Sequence, residues 1–244
     1  GKKMAKKITY YFDIVSPYTA LSWCVLQRYK DKWKIPIVLK PFFLGGVMKE
    51  TGNKPPAMTI PARAKNMFGD LKRNYSLFGI PILDLPANFF TEVARKILML
   101  QRTIAAAQAT GMSQEQVEKI VSAFTIAVHV DPSMRDEKNN LKTIDSDFVM
   151  VCLRAAGIKF EDAKSLTGMA VSKTAKNIIL QNTSEAIQRG AYGSPSFWVE
   201  GGKAPFSKPF YVFGSDRFEQ IAHILGIEWA GVNPDGDRVL PSKL

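Results

Sequence analysis

Three short segments carry side chains able to do chemistry. Ser16-Pro17-Tyr18-Thr19 follows a strand-like run and opens a helix. Serine is a good N-cap, and proline suits the first helical position. The amides of a first helical turn lack intrahelical partners and make an electropositive end. A Cys-x-x-Cys placed there would be a redox dithiol with a stabilised thiolate. Here the outer positions are serine and threonine, which excludes dithiol redox but leaves the same field for a bound thiol, helped by the Ser16 hydroxyl. Gly193-Ser194-Pro195 enters a strand with a residue that removes a ladder donor. A cis Ser194–Pro195 bond would turn the Ser194 backbone toward the first helix, ready to pair with a peptide-like ligand. In Phe213-Gly214-Ser215-Asp216-Arg217, Ser215 is the expected N-cap of a last helix whose amides suit a carboxylate. Asp216 would then hold the neighbouring ammonium. Alone, each segment reads as a cap or a turn. In this order they form a grip for an amino-acid head, a peptide edge and a thiol.

The elements that must position these residues are legible in outline. Ile8 to Val15 and Pro36 to Phe43 are rich in β-branched and aromatic residues and read as strands around a helix from Tyr18 to about Tyr29. Loop chemistry at Asn53 to Ala57 gives way to a long helical stretch. Phe89, Val93, Ile97 and Ile104 keep helical spacing there, and Ser113 with Gln116 forms a capping box before Val117, Ile120, Val121, Phe124 and Val128. Helices are also expected over Asp147 to Ala156 and Ser172 to Arg189. Strands at Ser196 to Glu200 and Phe210 to Phe213 precede the last helix, which ends at Gly226. The fold class is therefore α/β, a thioredoxin-like βαβ…ββα sheet domain interrupted by an all-helical insertion domain. Its expected parts are residues 1–58, the helical insert 59–189, and residues 190–244.

Bulk properties narrow the function. The 244 residues carry a net charge of +11, yet the basic residues form no stripe beyond Lys2, Lys3, Lys6 and Lys7, and no aromatic ladder joins them. Nucleic acid is not an expected partner. No apolar run reaches membrane-spanning length. The basic start leads into a strand-like run containing Asp13, so a secretory signal is not expected. Cys24 and Cys152 are the two cysteines, with no metal-binding or Cys-x-x-Cys spacing. Each sits in an apolar helical run and should be free and buried. His129 and His223 have no ligand-spaced carboxylate or cysteine, so no metal site is expected.

The motifs YFDIVSPYTAL, GGVMKETGNKPPAM, GAYGSPSFWVEGG and VFGSDRFEQIAHILGIEW resemble the kappa-class glutathione transferases over nearly the whole chain. The resemblance implies a homodimeric detoxification enzyme without a cofactor, taking glutathione as cosubstrate and conjugating it to small hydrophobic electrophiles. It leaves glutathione peroxidase activity open. It implies that Ser16 hydrogen-bonds the thiolate, with Pro17 and Tyr18 beside it, and that the Ser194 backbone next to Pro195 pairs with the cysteinyl amide. Asn53 resembles the family's glutathione-contacting asparagine, and Ser215 with Asp216 the pair that holds the γ-glutamyl end. Arg63, after a one-residue insertion around Ile60, stands near the family's basic residue for the glycyl carboxylate. Two departures are visible. Thr19-Ala20 replaces the usual Ser-Trp, and Ser194 replaces a larger apolar residue.

A related family, the glutathione-dependent 2-hydroxychromene-2-carboxylate isomerases, resembles the chain at S-P-Y and G-N-x-P-P but tends to carry glutamine at the position of Ser215. A non-catalytic thioredoxin-fold adaptor or chaperone is the other alternative, disfavoured by the ligand-binding set. The ending Ser242-Lys243-Leu244 reads as a peroxisomal address taken up by an import receptor. A peroxisomal matrix location is expected, with a mitochondrial second location left open.

Overall fold

The computed structural model describes residues 4–236. The expected address Ser242-Lys243-Leu244 lies outside them. The elements are β1 (Lys7–Phe12), α1 (Pro17–Trp33), β2 (Ile37–Pro41), α2 (Leu44–Thr51), α3 (Pro61–Phe78), α4 (Ala94–Lys96), α5 (Leu98–Ala109), α6 (Gln114–His129), α7 (Ser146–Ala155), α8 (Phe160–Met169), α9 (Lys173–Gln188), β3 (Ser196–Glu200), β4 (Phe210–Phe213) and α10 (Phe218–Leu225). The chain forms two compact units. One takes the chain up to Lys40, Leu44–Ile80, and the chain from Thr183; the other takes Pro41–Phe43 and Pro81–Asn182.

The first unit is built on a sheet of order β2-β1-β3-β4. β1 and β3 pair antiparallel, with Tyr10 opposite Phe197, and β3 pairs antiparallel with β4, with Phe197 opposite Val212. β1 is buried along nearly its whole length because both its faces are covered. On one face Tyr10 stacks on Phe12 at 4.9 Å and on Phe197 at 5.2 Å. Trp23 of α1 and Phe218 of α10 extend this aromatic layer. Side chains alternate across a strand, so Tyr11 points the other way, where its hydroxyl donates to Glu185 at 2.6 Å and Arg189 donates to it at 2.8 Å.

β1 stops at Phe12 instead of running to Val15, and the cause is Asp13. Its carboxylate accepts the amides of Val15 at 3.1 Å and Leu44 at 2.9 Å, and its carbonyl accepts that of Ser16 at 3.1 Å. The chain therefore turns before α1. The sheet unit also reaches Ile80 instead of ending at residue 58. α3 buries Met67, Leu71, Tyr75 and Phe78, and the Tyr18 hydroxyl donates to Asp70 of α3 at 3.2 Å.

In the helical unit the expected capping box is present, with the Gln116 amide donating to Ser113 Oγ and the Ser113 amide to Gln116 Oε1. The stripe of Val93, Ile97 and Ile104 is buried, but no single helix carries it. The Asn88 carbonyl accepts from both Glu92 and Val93, which opens a π-helical turn over Phe89–Val93 ahead of α4 and α5. Among the described residues no helix is long and apolar enough to cross a membrane.

Candidate active site

Ser16 occupies the N-cap position of α1 in extended backbone (φ −81°, ψ 123°), and Pro17 begins the helix. Its side chain does not cap. The hydroxyl donates instead to the carbonyl of Ser194 at 3.2 Å, while the Ser16 carbonyl accepts the Thr19 amide at 2.9 Å. Pro17 has no amide hydrogen to give, and no side chain caps the first turn of this long helix.

Ser194 precedes Pro195 through a cis peptide bond. Its hydroxyl accepts the Asp13 amide at 3.1 Å and pairs with the Thr19 hydroxyl at 2.8 Å. Glycine at position 193 lets the Phe213 ring pack against the backbone, because a Cβ there would stand 2.6 Å from the ring and displace it. The Pro195 carbonyl accepts the Gly214 amide at 3.1 Å, which joins this segment to the end of β4.

The last segment differs from expectation. α10 starts at Phe218 with Arg217 as its N-cap, so Ser215 and Asp216 form a turn before the helix and Ser215 is not its cap. The turn arises at Gly214, whose φ of +110° favours glycine and over which Asp216 folds back; a Cβ there would meet Asp216 Oδ1 at 2.5 Å. Ser215 is buried. Asp216 is largely exposed, with its carboxylate 3.2 Å from Arg217. Burial, then Asp70, then the Asp216 charge push the Tyr18 phenol above its ordinary range. Asp216 therefore lies within electrostatic reach of the start of α1.

Asn53, in the loop after α2, donates its side-chain amide to the Tyr192 carbonyl at 2.7 Å. This ties the loop to the residue before Gly193. Arg63 is exposed in the first turn of α3, and nothing links its guanidinium to Ser16, Asn53, Ser194 or Asp216. Ser16, Pro17, Tyr18, Ser194, Pro195 and Asn53 thus share one connected neighbourhood, Ser215 and Asp216 border it, and Arg63 stands apart. The sequence reading gave no role to Asp13. The signal was present, because a carboxylate inside an apolar run must find donors when buried. Burial pushes it up to about 6, against the pull of the two amides it accepts. Among the described residues no three His, Cys, Asp or Glu side chains group as a metal site.

The neighbourhood offers a hydroxyl at a helix N-terminus, a strand-entry backbone and a nearby carboxylate. A family model described as a DSBA-like thioredoxin domain matches residues 7–226. The chain is 36% identical over 220 residues to glutathione S-transferase kappa 1 of Caenorhabditis elegans, covering 90% of each. It is 30% identical over 227 residues to glutathione S-transferase kappa 1 of Rattus norvegicus, covering 92% of each. A solved 2-hydroxychromene-2-carboxylate isomerase shares the fold, with a TM-score of 0.66 at 18% identity over 90% of this chain and 94% of that one. With a thioredoxin-like sheet and a Ser-Pro-Tyr-Thr helix start where dithiol enzymes carry two cysteines, the chain belongs to the kappa-class glutathione S-transferase family, built on a DSBA-like thioredoxin domain.

Proposed function

We propose that the protein binds glutathione along the Ser194 backbone, holds its sulfur as a thiolate at the start of α1, and adds it to small hydrophobic electrophiles. The supporting observation is the Ser16 hydroxyl donating to the Ser194 carbonyl at 3.2 Å. A hydroxyl has one proton to give. When it turns to a thiolate it releases the Ser194 carbonyl, and that carbonyl becomes the acceptor for the cysteinyl N–H of the same ligand. Sulfur activation and peptide docking are then one exchange of hydrogen bonds. Asp216 takes the γ-glutamyl ammonium, and Asn53 braces the loop beside Tyr192.

The chemistry needs little more. A thiol with a pKa of about 8.5 is mostly protonated at neutral pH, and lowering it by roughly two units requires about 2.7 kcal/mol of differential stabilisation. A helix N-terminus supplies up to about 2 kcal/mol, and a hydrogen bond to a charged group about 1.5–3 kcal/mol. The thiol proton leaves to solvent. With an aryl halide, the sulfur lone pair forms the carbon–sulfur bond and halide departs with the bonding pair.

Titrating the ultraviolet absorbance of bound thiolate in wild type and Ser16→Ala tests this reading. The substitution should raise the thiol pKa toward its free value. An unchanged pKa would remove Ser16 from the mechanism. Conjugation of a general aryl halide separates this function from isomerisation and from an adaptor role.

A further inference from the structure

Thr19 stands where a dithiol enzyme keeps its second cysteine, and it is held from every side. It is 1% exposed. Its amide donates to the Ser16 carbonyl at 2.9 Å. Its carbonyl accepts the hydroxyls of Ser22 at 2.9 Å and Tyr10 at 3.3 Å, and those two hydroxyls lie 2.6 Å apart. Its own hydroxyl meets Ser194 Oγ at 2.8 Å, and the same oxygen accepts the Asp13 amide at 3.1 Å. Thr19 is therefore fixed by α1 and β1, whereas Ser194 sits in the segment that enters β3.

We propose that Thr19 is a positioning residue: through its buried hydroxyl pair with Ser194 it holds the Ser194 peptide where the Ser16 proton and a ligand N–H can exchange upon it. The inference rests on the proposed glutathione reading. Its physical basis is the direction of anchoring. Ser194 has one backbone carbonyl to offer, and the carbonyl's orientation follows the peptide plane. A side chain clamped between Thr19 Oγ1 and the Asp13 amide restrains that plane without occupying the carbonyl.

The test compares Thr19→Val, which keeps the branched shape without the hydroxyl, with Thr19→Ser, which keeps the hydroxyl without the methyl. Each is assayed for conjugation over a range of glutathione concentrations, and each is melted thermally. Thr19→Val should raise KM for glutathione about tenfold, the scale of a buried hydroxyl left unpaired, with a smaller change in kcat. Thr19→Ser should return KM close to wild type. The double variant Thr19→Val/Ser194→Ala should be no worse than the poorer single variant, because the two groups act as a unit. A wild-type KM in Thr19→Val, equal impairment in Thr19→Val and Thr19→Ser, or additive losses in the double variant would each overturn the proposal. A lowered melting temperature with unchanged KM would reduce Thr19 to packing. Ser16→Ala runs beside them: an unchanged thiolate signal there strikes the glutathione reading itself, whereas a lost signal with a wild-type KM in Thr19→Val strikes only the role of Thr19.

Discussion

The side-chain amide of Asn53 donates to the main-chain carbonyl of Tyr192 at 2.7 Å, a link between residues 139 positions apart. It fastens the loop after α2 to the segment that carries Ser194. The loop's own amide at Lys54 donates to the side-chain Oδ1 of Asn53 at 2.8 Å, so Asn53 orders both sides of the junction.

Replacing Asn53 with alanine should therefore loosen the ligand edge more than the fold. The bond is solvent-exposed, and its loss should cost about 0.5–1.5 kcal/mol at most. The expected outcome is a several-fold rise in KM for glutathione with a melting temperature close to wild type. Steady-state kinetics and a thermal melt on the same preparation check it. A wild-type KM would show that the loop contributes nothing to binding.

Gly214→Ala should act on Asp216 from behind. The backbone at φ +110° is strained for any side chain, and the added Cβ would stand 2.5 Å from the Asp216 carboxylate. Stability should fall by roughly 1–2 kcal/mol for the left-handed conformation alone, and KM for glutathione should rise as Asp216 is displaced. Asp216→Asn should raise KM in the same way without the stability loss, the pattern of lost uniform binding. If Asp216→Asn lowers kcat and leaves KM alone, the ammonium role of Asp216 is wrong.

Asp13 should leave a mark on the pH dependence of folding. Burial raises its carboxyl from an ordinary 3.8 to about 6, so between those values the folded protein holds more protons than the unfolded chain. Stability from this group is complete below about 3.8 and is lost as pH rises through about 6, an effect of about 3 kcal/mol. Asp13→Asn removes the titration. It also leaves one of the two amides, of Val15 or Leu44, facing an NH2 group, so the slope rather than the absolute stability is diagnostic. Urea unfolding at several pH values from 4 to 7 should show wild type weakening relative to Asp13→Asn as pH rises. Parallel profiles for the two proteins would mean that Asp13 does not titrate in this range.

What the sequence disclosed follows from how local each signal is. β3 and β4 match their expected bounds because short runs of aromatic and β-branched residues are punctuated by Gly201-Gly202 and Gly214. The Ser113–Gln116 box was legible for the same reason, since its two partners are three residues apart. α2 was not, because it is eight residues long, contains two glycines and buries only Leu44 and Val47. Its first amide is held by Asp13, thirty-one positions away. α8 likewise buries only Ala163, Leu166 and Thr167. At the site, Ser16 and Asp216 could be named from turn and cap chemistry, but the pairing of Thr19 with Ser194 spans 175 positions and leaves no periodic trace. The start of α10 was misplaced because Ser215 has the residue type of a cap, whereas Gly214 and the folded-back Asp216 take the chain through a turn first.

The two cysteines carry a consequence for the catalyst's own survival. Both are free and buried. Burial pushes the Cys24 thiol up to about 11 and the Cys152 thiol up to about 12. Near neutral pH neither offers a thiolate, and the thiolate is the nucleophile. On the proposed reading the protein works beside alkylating molecules, and its own buried thiols are spared from becoming their target while the reacting sulfur is one it borrows.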